Sequence, residues 1–115
     1  MKQREIKFRA WHLDDGMLYF DFDSFQKDYH DQYGSIMQYT GLKDKNGKEI
    51  YENDWCYAKF RTKEGIRVIQ GRIIMDDFMW CIDCTNSIGD DIFIINRPHD
   101  FEVIGNIYEN PELIK

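Results

Sequence analysis

Proline is nearly missing from this chain of 115 residues, which holds only Pro98 and Pro111. Cysteine is sparse and odd in number, at three. An odd count fits reduced thiols in a cytoplasm better than a disulfide framework. No apolar run approaches the roughly 18 residues that a membrane-spanning helix requires. The opening residues Met1 to Arg9 are charged and carry no apolar secretory core, so the expectation is a protein with no leader and no membrane. There is no G-x-G-x-x-G, no P-loop and no G-x-S-x-G, which leaves dinucleotide, phosphate-loop and hydrolase-elbow chemistry without a foothold. A basic excess is absent as well. The net charge of −6 argues against a dedicated nucleic-acid coat.

What is present is apolar, aromatic and β-branched. Hydrophobic residues make up 43% and aromatics 16%, enough for a globular core in a single domain or a domain with an appended lobe. Ile6, Phe8 and Ala10 alternate with Lys7, Arg9 and Trp11, a strand pattern. Asp14-Asp15-Gly16 turns it, and Met17 to Phe20 returns as the second arm of an N-terminal hairpin. Asp21 to Ser35 shows no clean period and reads as loop. Ile36 to Thr40 and Glu49 to Tyr51 flank Lys45-Asn46-Gly47-Lys48. Its Asn-Gly pair predicts a type I′ hairpin turn with both central residues at positive φ.

Five further strands are expected: Asp54 to Phe60, Ile66 to Met75, Phe78 to Asp83, Ile92 to Ile95 and Phe101 to Ile107. Gly71 marks a bend or bulge in the longest of them. Strands of this length joined by tight turns suit a small, partly open barrel. The entry at Glu52 to Trp55, then Gly71-Arg72-Ile73, then a strand with Trp80, looks like an SH3-like barrel. The reading is therefore mainly β, on the border of α+β. Residues 1–48 form an N-terminal hairpin lobe with its connecting hairpin, residues 49–115 form the barrel, and the two make one compact unit.

Three stretches carry a resemblance: REIKFRAW at the start, IMQYTGLKDKNGKEIYEND from Ile36, and EVIGNIYENPEL near the end. In this order, over nearly the whole chain, they resemble the YopX family of phage and prophage proteins. One departure is Asn53, where that family commonly has Gly in an E-G-D turn. Asn is the best replacement for Gly at positive φ, so the turn is expected to survive. The resemblance implies a phage-borne accessory protein in the cytoplasm of a bacterial host, and it brings no catalytic residues to carry over.

Cys81-Ile82-Asp83-Cys84 has the spacing of half a zinc site or a redox pair, and Cys56 with His99 could complete four ligands on paper. Three steps along a strand place the two thiols on opposite faces, so buried apolar cysteines are the expectation, with no metal and no cofactor. Asp21-Phe22-Asp23 would put two carboxylates on one face without further oxygen ligands nearby. His12, His30 and His99 belong to no nucleophile arrangement, and the pairs Asp14-Asp15, Asp76-Asp77 and Asp90-Asp91 fit turn chemistry. No enzyme is expected.

Charge is unevenly spread. Lys59, Arg61, Lys63, Arg67 and Arg72 stand against Glu64, while Asp76 to Glu102 holds seven acids against Arg97. Lys59, Arg61 and Lys63, continued by Tyr57 and Trp55, form a basic ribbon of the kind that binds single-stranded nucleic acid by charge and stacking. The competing account is long basic stems shielding a sheet from strand addition. Leu113 and Ile114 form an apolar tail suited to a protein interface. Two functions follow: a non-enzymatic module that binds a host or phage protein or assembles with itself as a homo-oligomer, or a nucleic-acid-binding protein that uses the ribbon.

Overall fold

The computed structural model describes residues 6–21, 35–86, 89–95 and 98–113. Its strands are β1 (Lys7–His12), β2 (Gly16–Asp21), β3 (Ser35–Lys43), β4 (Glu49–Tyr51), β5 (Asp54–Thr62), β6 (Gly65–Asp76), β7 (Met79–Asn86), β8 (Gly89–Ile94) and β9 (Phe101–Asn106). Short 3₁₀ turns cover Pro98–Asp100 and Pro111–Leu113, and no α-helix occurs among the described residues. The fold is mainly β and barrel-like, as the alternation and the close-set turns lead one to expect. A curled half-barrel sheet is accompanied by a second, smaller sheet.

The smaller sheet has the order β2-β1-β3-β4 and the larger one β8-β7-β6-β5-β9. Every pairing is antiparallel. β5 to β8 run as a meander, and β9 returns to the far side of β5. The core lies on the inner face of the larger sheet, where Cys56 and Ala58 of β5 meet Ile69 and Ile73 of β6 and Ile82 of β7, with Ile50 of β4 plugging the concavity. Small side chains at Cys56 and Ala58 leave room for the sheet to curl. A register shift at Trp55/Cys56 against β9 adds local twist.

Gly71 shows why β6 can curl there. The β5–β6 register runs through it without a shift, so it marks no bulge. A Cβ at this position would stand 2.1 Å from the Asp83 carbonyl oxygen. The glycine serves the close approach of β6 and β7.

The β3–β4 hairpin forms, but not through a type I′ turn. Of the Asn-Gly pair only Gly47 takes a positive φ, +81°. The turn is organised by Asp44 instead: its Oδ1 accepts the Asn46 and Lys48 N–H groups at 2.9 Å each. Its Oδ2 accepts the N–H of Val103 in β9 at 2.9 Å, and the Lys45 N–H donates to the Phe101 carbonyl. The loop thus fastens the smaller sheet to the edge of the larger. At the crossover between sheets, Asn53 stands at φ +70°, the conformation in which Asn best replaces Gly.

Candidate binding surface

Strand parity divides the β5–β6 hairpin into two faces. Across the pair, Trp55 sits opposite Arg72, Tyr57 opposite Gln70, Lys59 opposite Val68 and Arg61 opposite Ile66. These eight share the outer face, away from the core. Lys59, Arg61, Ile66, Val68 and Gln70 are exposed there, while Trp55, Tyr57 and Arg72 are half-buried. The Trp55 indole donates to Gln70 Oε1 at 3.2 Å, which holds the ring against the sheet. Among the described residues Lys59, Arg61 and Lys63 form no ion pair.

Four of the five ribbon cations gather on or beside this face, with Lys63 in the tip turn. Arg67 does not. It lies on the inner side of β6, its guanidinium 5.0 Å over the Phe93 ring. Arg72 faces Asp83 across β7, so the positive field is concentrated towards the tip, at Lys59, Arg61 and Lys63. The same outer face continues over β8 with Ile92 and Ile94, both about half exposed.

The other candidates occupy structural positions. Cys56 and Cys84 belong to the core, while Cys81 is buried on the opposite face of β7. Burial pushes the Cys56 and Cys81 thiols above their ordinary value, with the neighbouring Asp54 adding to the effect at Cys56. Both are thereby weak nucleophiles. Among the described residues no group of three or more His, Cys, Asp or Glu side chains could hold a metal ion. His12 Nδ1 accepts the Asp14 and Asp15 N–H groups and so caps the first turn. His99 is exposed beside Asp100, at 3.8 Å. His30, Phe22-Asp23 and Ile114 lie outside the described residues.

At the C-terminus, Asn106 Oδ1 accepts from the Tyr108 and Glu109 N–H groups. Tyr108 stacks on Trp11 with ring centres 5.7 Å apart. The segment leading to Leu113 is thereby folded back on β1.

Sequence alternation missed a buried polar centre. Arg9, placed by parity on the more polar side of β1, is 3% exposed and pairs at 2.8 Å with Asp54, 2% exposed. Its guanidinium also donates to the Glu52 carbonyl and lies 4.8 Å over the Tyr51 ring. Asp54 Oδ2 accepts the Tyr51 N–H at 2.8 Å. Burial raises the Asp54 carboxyl above its ordinary value despite Arg9 and the Tyr51 amide, which pull it down. Burial, then Glu49, pushes the Tyr51 hydroxyl up to about 12. The cluster joins β1 to β5, and its oxygens are committed to neighbours within the fold. Its only sequence signal is an Asp entering a strand after a tight turn, which is too common to single it out.

The family model described as YopX protein matches residues 19–115. No curated protein matches the chain.

Proposed function

Since the chain belongs to the YopX protein family, we propose that it is a phage accessory protein that catalyses nothing itself and acts in the bacterial cytoplasm by binding a protein, either a host or phage partner or further copies of itself. The observation that carries this reading is the outer face of the larger sheet. Ile66 and Val68 are exposed there beside Lys59 and Arg61, and Ile92 and Ile94 are exposed on β8, all on a ladder of paired strands. Neighbouring apolar side chains exposed together on a sheet face mark interaction sites. The buried, raised thiols and the turn-capping histidine are in keeping with a binding role. No helix among the described residues is long and apolar enough to cross a membrane.

Affinity capture of the tagged chain from lysate of its own host, with and without nuclease, tests the reading. Partners retained after nuclease are the expected result. Partners lost with nuclease favour the second reading, in which single-stranded nucleic acid lies along Tyr57, Lys59 and Arg61. That reading draws its support from two cations beside aromatic rings on one face. Retention on single-stranded DNA would then fall steeply with salt and disappear on reversing Arg61 and Lys63 to Glu.

A further inference from the structure

We propose that copies of this chain associate head to tail, the β6–β7 turn of one docking on the outer face of the β5–β6 tip of the next. This rests on the protein-binding reading above and names the partner as a second copy. The docking element is the two-residue turn Asp77-Phe78 between Asp76 and Met79, which pair across its base. Phe78 is 98% exposed, and Met75 and Met79 beside it are about half exposed. An aromatic ring held wholly in water at the end of a stiff hairpin, flanked by two acids, is an anchor without a pocket in its own chain.

The complementary surface lies at the opposite end of the same sheet. Lys59 and Val68 face each other across β5 and β6, as do Arg61 and Ile66, so two cations and two aliphatic side chains form one tile. Val68 is 49% and Ile66 61% exposed. Against it stand Asp76, Asp77, Phe78 and Met79, two acids and two apolar side chains. The charges are opposite and the apolar groups match in number. Lys63 in the tip turn extends the positive side.

The two ends cannot meet within one molecule. β6 runs from one to the other through 12 residues, roughly 35 Å along the strand at its ordinary rise. The contact is therefore between copies, and it uses two different patches. Such a contact leaves a free patch at each end of a dimer, so association continues into rings or open chains.

The turn geometry supplies a test that separates docking from folding. Asp77 and Phe78 both have positive φ, +49° and +65°, a conformation that glycine adopts freely and a bulky side chain does not. Phe78→Gly therefore relieves the turn and deletes only an exposed ring. The expected result is a higher melting temperature together with self-association weakened by about tenfold or more. A merely structural Phe78 would not give this opposed pair of effects.

Sedimentation velocity on the full chain reads the assembly. Wild type should grow past dimer with concentration at low salt and dissociate at high salt. Phe78→Gly and the double reversal Lys59→Glu with Arg61→Glu should each remain monomeric. Mixed, they should form a one-to-one pair that stops at dimer, since the first retains an intact tile and the second an intact turn; a pair formed through the substituted Phe78→Gly turn is not expected. A wild type that stays monomeric at submillimolar concentration, or a mixture that does not pair, overturns the proposal. A monomeric wild type that still captures a nuclease-resistant partner would do so while leaving the protein-binding reading in place.

Discussion

Gly71 shows how one missing side chain shapes this sheet. The Asp83 carbonyl oxygen and the Cys84 Cα stand 2.1 Å and 3.1 Å from where its Cβ would lie. Both are backbone atoms in the middle of β7, so neither can swing aside as a flexible side chain would. Gly71→Ala must therefore separate β6 from β7 or distort both, at a cost of about 3 kcal/mol or more. Urea unfolding would show this as a lower midpoint, and an unchanged midpoint would mean the strands have slack that the geometry does not suggest. The glycine itself was legible as an interruption in an apolar strand. Its cause was not, because a bulge and a close approach leave the same mark in a sequence. Asn46-Gly47 is a parallel case. The pair correctly signals a hairpin, yet the turn type is decided by the Asp44 carboxylate two residues earlier.

At the scale of elements, the strands were readable because apolar alternation and turn residues are local properties, and all nine described strands follow from them to within about three residues of their ends. Which strands lie side by side is a different matter. Asp44 bonds the Val103 N–H across 59 positions, and no local pattern encodes a distance of that kind. The loop from Asp44 to Lys48 works as a clasp: one carboxylate holds three backbone N–H groups, two within its own turn and one on β9. Asp44→Ala removes all three hydrogen bonds and leaves the Val103 N–H buried without a partner. Hydrogen bonds to a charged acceptor contribute about 1.5–3 kcal/mol each and do not simply add, so a loss of roughly 3–5 kcal/mol is expected. Hydrogen exchange checks the mechanism as well as the size. The Val103 amide should lose protection in the variant more than amides in the centre of β7, whereas a uniform loss would indicate general weakening instead of an opened clasp.

Across the whole molecule, the two sheets are joined by a charge pair that alternation assigns to the wrong side. A strand covered on one face buries every second residue, and by that rule Arg9 belongs in water. β1 is covered on both faces at this point, so Arg9 and Ala10 are both buried. Removing one partner of a buried pair costs about 3–5 kcal/mol, because the other charge is left unpaired, whereas removing both is often nearly neutral. Arg9→Met should accordingly destabilise the protein by that amount at neutral pH. It should also change how stability depends on pH. Asp54 is already raised by burial, and without Arg9 it is raised further. Below the ordinary carboxyl value the group is protonated in both folded and unfolded states, and nothing is lost. As pH climbs through the raised folded value, the unfolded chain ionises freely while the buried carboxyl resists, and stability falls. The deficit of Arg9→Met relative to wild type should thus shrink in acid and widen towards neutrality. Adding Asp54→Asn keeps an acceptor for the Tyr51 N–H, removes the titrating group and should flatten that slope. Urea midpoints of the three proteins across this pH range decide the matter. A deficit independent of pH would place the cost in lost packing around the Arg9 stem, and the ion pair would no longer be what couples the two sheets.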